Sequence, residues 1–126
     1  MKKFIIFVVI VIGGMIWLKD WITSGKMDAY IAAHPDPKVT PQVLLGLGEF
    51  YFTVQDHKSA AYYYRWILDS YPKTPRKARV HWQLGRSYEE IGKRGEAIEQ
   101  YAILKDSYSA TSYGELGHAR YGQLKY

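Results

Sequence analysis

Leu47-Gly48-Glu49-Phe50-Tyr51 and Leu84-Gly85-Arg86-Ser87-Tyr88 share their first, second and fifth residues at an offset of 37 (84 − 47). The match continues in step. Ala60 recurs as Ala97, Tyr64 as Tyr101, Ile67 as Leu104, and Asp69-Ser70 as Asp106-Ser107. Adding the same offset to Gly85 reaches Gly122, behind the aromatic Tyr121; subtracting it from Pro72 reaches Pro35. A fixed period of this size means stacked helical or strand units, because one unit alone is too small to bury its apolar face.

The residues that repeat say how each unit is built. Gly48 and Gly85 give up side-chain volume where two helices of a hairpin cross closely, and Ala60 and Ala97 do so from the second helix. Tyr51, Tyr64, Tyr88 and Tyr101 fill the remaining groove. All are residue types that pack well in a core, so this set speaks to fold and not to function.

With Pro41 as its first position, the first unit has Leu44, Leu47, Gly48, Tyr51, Ala60, Tyr64 and Pro72 at its marked places. The second has Leu84, Gly85, Tyr88, Ala97, Tyr101 and Leu104. In these residues the chain resembles the tetratricopeptide repeat family from about Tyr30 to Tyr126. It departs at His81, where the family prefers Trp or Leu (Trp82 is adjacent), and at Ser109 in place of proline. Its period of 37 exceeds the usual ~34. The three extra residues resemble the lengthened first helix of bacterial envelope members. The resemblance implies an all-α solenoid of about two and a half helix-turn-helix repeats and a role in protein–protein interaction. It also implies that Arg79, Trp82, Arg86 and Glu89 line a concave groove with Gln42, Leu45, Glu49 and Phe52.

The N-terminal segment is of another kind. Lys2 and Lys3 precede an unbroken apolar run, Phe4 to Leu18, and Trp21-Ile22 follow Lys19-Asp20. A bilayer core of ~30 Å takes about 20 helical residues. The stretch from Phe4 to Ile22 supplies 19, with Phe4, Phe7 and Ile12 for lipid and Trp17 and Trp21 for the interface. A cleaved leader would end in a small-x-small site, and Met15 to Trp21 offers only bulky residues there, so the reading favours an uncleaved single-pass transmembrane helix. Gly13-Gly14 would permit close approach of a neighbouring helix. Lys2, Lys3 and the α-amine before the span, against Lys19 and Lys26 after it, place the N-terminus in the cytoplasm and the repeats in a bacterial periplasm.

These readings divide the chain into an anchor (1–26), a short helix and linker (27–40), and repeats over 41–74, 75–110 and a partial 111–126. Residues 27–34 read as a helix with Tyr30, Ile31 and Ala32 for packing, bent from the anchor near Ser24-Gly25. Thr40-Pro41 and Thr74-Pro75 each read as an N-cap followed by proline at the first helical position. Helices are expected over 41–54, 58–70, 75–91 and 95–107, with Gly92 as a left-handed stop, and a fifth from 109–111 onward. That fifth helix carries Tyr113, Leu116, Tyr121, Leu124 and Tyr126, an apolar set where a terminal repeat needs polar residues, which favours a permanent partner.

Chemistry is hard to find. With no cysteine, disulfides, thiolate metal sites, c-type haem and a lipoprotein anchor are excluded. His81 and His118 stand 37 apart (118 − 81), which predicts equivalent places, but no third ligand accompanies them. Glu89 and Glu90 point different ways on a helix, and Glu96 and Glu99 belong to an outer, solvated face. No nucleophile elbow, phosphate loop or dinucleotide fingerprint is present, so no catalytic, cofactor or metal residue is expected. Lys73, Arg76, Lys77, Arg79 and Arg86 form the one basic cluster; the groove surface around Arg79 and Arg86 suits an acidic or C-terminal peptide segment, and Arg76 and Lys77 suit anionic head groups of the lipid bilayer, while nucleic acid is poorly supported. The expectation is therefore a non-enzymatic scaffold, a small subunit of a membrane protein complex in the bacterial inner membrane. The alternative is a soluble periplasmic adaptor that binds peptide after loss of its leader.

Overall fold

The computed structural model describes all 126 residues, which form seven α-helices and no strand. They fold as two compact units, Met1–Pro35 and Asp36–Tyr126. The fold class read from the repeat, an N-terminal apolar helix followed by helical hairpins, is the one observed.

The first unit holds α1 (Lys2–Thr23) and α2 (Lys26–Ala33). Helix α1 has 22 residues, a mean hydropathy of 2.1 in its apolar stretch and no buried residue there. At ~1.5 Å per residue it reaches about 33 Å, enough to cross a hydrocarbon core. Phe4, Phe7, Ile12 and Trp17 are exposed, and the Trp17 and Trp21 rings stack one turn apart with centroids at 6.1 Å. Gly25 (φ 82°) makes the bend between the helices. Tyr30 and Ala32 do not serve as packing residues. Met27 is the buried residue of α2, and the Tyr30 ring instead stacks at 4.3 Å on His34, one turn along the chain.

The second unit is a run of hairpins: α3 (Thr40–Thr53), α4 (His57–Ser70), α5 (Lys77–Glu90), α6 (Arg94–Ser107) and α7 (Ser112–Lys125). Each helix packs on the next, and α7 also touches α5. Local chemistry explains most of the boundaries. Asp56 caps α4 by accepting from the Ser59 amide, and Thr111 caps α7 by accepting from the Gly114 amide. Thr40 is not the cap of α3. It lies inside the first turn, and its hydroxyl accepts from the Asp36 amide, while Asp36 accepts from the Lys38 and Val39 amides. Thr74-Pro75 does not open α5 either; the helix begins at Lys77 behind a turn and has no side-chain cap.

Helices α3 and α5 both end on a left-handed residue. In α5 it is Gly92 (φ 81°), as expected of a residue without Cβ. The equivalent of Gly92 one period earlier (92 − 37) is Gln55, held at φ 68° with its backbone amide bonded to the Phe52 carbonyl. A side chain in that region costs about 1–2 kcal/mol relative to the right-handed conformation.

The core follows the repeat. Tyr64, Tyr101, Leu44, Ile67, Leu84, Leu104 and Val80 are fully buried, and Ala60 and Ala97 are completely covered. A Cβ on Gly48 would lie 2.5 Å from Cε1 of Tyr64, and one on Gly85 would lie 2.6 Å from Cε1 of Tyr101. Each glycine therefore seats the tyrosine of its own hairpin, as the sequence predicted.

The third copy breaks step. Helix starts advance by 37 from α3 to α5 (77 − 40) but by 35 from α5 to α7 (112 − 77). The cause is the connection: residues 71–76 join α4 to α5, whereas 108–111 join α6 to α7. Gly122 faces open space and is not the crossing glycine. Gly117 takes that role against Leu104, and Gly114 abuts the Tyr108 carbonyl. The same slip separates the two histidines: His81 is buried and His118 is exposed.

Two substitutions test this account. Gly85→Val should destabilise the repeats by about 1–3 kcal/mol through overpacking against Tyr101, read by urea unfolding. Gln55→Gly should raise stability by up to about 1 kcal/mol, seen as a higher denaturation midpoint, by relieving the left-handed residue.

Candidate partner-binding face

The first helices of the successive hairpins, α3, α5 and α7, share one face, and charged side chains cross it. Arg79 on α5 pairs with Glu49 on α3. Arg120 on α7 grips Glu89 on α5 with both a guanidinium edge and its Nε, the latter 2.9 Å and 3.1 Å from the two carboxylate oxygens. In each pair the acid sits on one first helix and the arginine on the next. The second pair lies about a turn further along than the period predicts, at 41 residues for arginine (120 − 79) and 40 for glutamate (89 − 49).

The buried tyrosines reach these pairs from below. The Tyr101 hydroxyl donates to Glu89. Tyr64, one period earlier, has a buried hydroxyl with no hydrogen-bond partner and lies in the field of Glu49 and Arg79. Both phenols are pushed far above their ordinary range, first by burial and then by the neighbouring carboxylate. Burial alone would raise the carboxyl of Glu89. Hydrogen bonds from Arg120 and Tyr101, with the charges of Arg120 and Arg86, outweigh it and hold the group below its usual value.

Between the two pairs lies Arg86. Its guanidinium carbon is 5.9 Å from the Phe52 ring centroid and 5.7 Å from that of Trp82. Such contacts hold a cation without neutralising it. Arg86 makes no ion pair and remains partly exposed. Trp82 in turn rests on the Tyr101 ring at 5.5 Å, so the aromatic platform is fixed from the core. The structure thus brings Glu49, Phe52, Arg79, Trp82, Arg86 and Glu89 onto neighbouring helices of one face.

Residues 79–111 match a family model of the tetratricopeptide repeat. They span Arg79 on α5 through α6 to Thr111, the cap of α7. The matched stretch, 33 of the 126 residues (111 − 79 + 1), is similar to one tetratricopeptide repeat. No curated protein matches it. Tetratricopeptide repeats are protein-interaction modules, typically without catalysis, and the face described above is built on the first helix of the matched repeat.

Several residues differ from their expected roles. Leu45 does not line this face; it is 3% exposed and belongs to the core. Arg79, read with the free basic cluster, is committed to Glu49, while Lys73 and Arg76 stay in solvent. Arg120 and the Tyr101 hydroxyl were missed. The period points at position 116 or 123 and not at 120, and a buried tyrosine reads as packing alone. His81 is a core residue: its Nδ1 lies 2.7 Å from Gln100 Oε1 and its buried Nε2 has no partner. Burial, with the Lys77 charge, holds its pKa below the ordinary value against the Gln100 bond. No group of three His, Cys, Asp or Glu side chains is placed to hold a metal ion.

Glu89 gives a pH signature. Its folded carboxyl titrates below its ordinary 4.5, so the unfolded chain binds more protons between the two values. The stabilisation is full above that ordinary value and is lost as pH falls through and below it. In Glu89→Gln, the repeats should be weaker at neutral pH and lose less on acidification from pH about 5 to 3, measured by chemical denaturation across that range.

Proposed function

We propose that this chain is a membrane-anchored, non-enzymatic interaction scaffold, a small accessory subunit of a bacterial inner-membrane complex. In this reading α1 stays in the bilayer with its N-terminus in the cytoplasm, and the repeats lie on the periplasmic side. The α3–α5–α7 face receives an acidic or C-terminal segment of a partner subunit. The observation that carries it is Arg86, a cation held between Phe52 and Trp82 with no carboxylate of its own. Its neighbours Arg79 and Glu89 are already paired within the chain, so Arg86 is the charge on this face left for a ligand. The length, apolarity and paired tryptophans of α1 support the anchor. The bulky residues after the apolar run support its retention.

Purification in mild detergent through a C-terminal tag should recover membrane subunits in fixed ratio. Arg86→Glu should lose them with helicity unchanged, at a stability cost of about 1–2 kcal/mol from two lost cation–π contacts and a second carboxylate near Glu89. Recovery of a lone monomer sinks the subunit reading. Intact mass decides the anchor: a mature chain lacking roughly the first 20–30 residues would favour the diffusing peptide adaptor instead.

A further inference from the structure

A second surface of the repeat unit has the opposite construction from the paired face. Between α4, α5 and the start of α6 lies an open cleft of about 410 Å³. Lys58 and Arg65 enter it from α4 and Lys93 from the turn before α6, with Tyr62, Tyr88 and Ile91 as its walls. None of the three cations makes an ion pair, and no acidic residue lines the cleft. Arg79 and Arg120 are matched to carboxylates across helices, whereas this cleft gathers three unmatched cations in one place. Asp69, Glu96 and Glu99 line a neighbouring cleft that shares Arg65 and Tyr88 with this one. Arg65 is oriented by the Tyr88 hydroxyl, to which its Nη1 donates at 3.4 Å. That bond leaves the rest of its guanidinium fork available. The Tyr62 ring is half-exposed beside it.

We propose that this cleft binds a phosphate group, as a free phosphate ester or as the head group of an anionic phospholipid. Three positive charges lining one cleft exceed what one carboxylate would balance. A phosphate monoester carries about −1.5 to −2 charges and three acceptor oxygens, which suit one planar guanidinium and two point-like ammonium groups. The volume falls in the range of small-molecule sites and leaves room for an organic substituent against Tyr62 and Ile91. The site is separate from Arg86 and does not depend on the partner proposed for that face.

The test uses the full chain in nanodiscs of neutral phosphatidylcholine. Glycerol phosphate and inorganic pyrophosphate are titrated in by calorimetry. In parallel, nanodiscs doped with phosphatidylglycerol are examined by native mass spectrometry for retained lipid. Saturable binding is expected in at least one arm, weakened about tenfold or more by Lys58→Glu with Lys93→Glu, both exposed residues that leave the core intact. Lys38→Glu with Lys125→Glu, an equal charge change at exposed residues outside the cleft, should leave it unchanged. Binding of the soluble esters identifies a free ligand; retention of phosphatidylglycerol alone identifies a head group. No binding in either arm, or equal loss in both double variants, overturns the proposal.

Discussion

The repeat unit rests on a tyrosine ring lying where a glycine has no side chain. Tyr64 over Gly48 and Tyr101 over Gly85 bring the two helices of each hairpin close enough for Ala60 and Ala97 to close the gap. Interiors are packed to near-crystalline density, so such a contact admits little variation. Part of the paired face is hung from it. The buried ring of Tyr101 supports Trp82, Trp82 supports Arg86, and the same tyrosine's hydroxyl fixes Glu89. A packing residue and a positioning residue are here the same side chain.

This overlap explains what sequence could and could not show. The period, the crossing glycines, the left-handed Gly92 and the apolar first helix were all legible, because each depends on short-range chemistry repeated at a fixed spacing. The face was legible in its members but not in its pairing. Arg79 reads as a free cation until Glu49 is seen across the helix boundary, and Arg120 sits a turn away from where the repeat would place it. The register of α7 was misread because two residues are absent from one connection, and a loop length leaves no mark in the helix pattern that follows.

The helix starts carry a similar lesson. Thr74-Pro75 has the composition of a capped start, yet α5 waits for Lys77, whereas Thr111 caps α7 without a proline. A local motif states a preference, and the packing of the hairpin decides whether it is used. Gln55 shows the converse. Its strained backbone is tolerated because the chain must turn there for α4 to meet α3, whatever residue occupies the site.

The two cross-helix ion pairs also act as joints. Each links the first helix of one hairpin to the first helix of the next, on the surface read as the docking face. The stack itself is held by the packing of α4 on α5 and of α6 on α7. A part-exposed pair adds only about 0–1 kcal/mol to that, so either joint can open without the hairpins coming apart, and the charge pattern of the face can change while the fold beneath it stays packed.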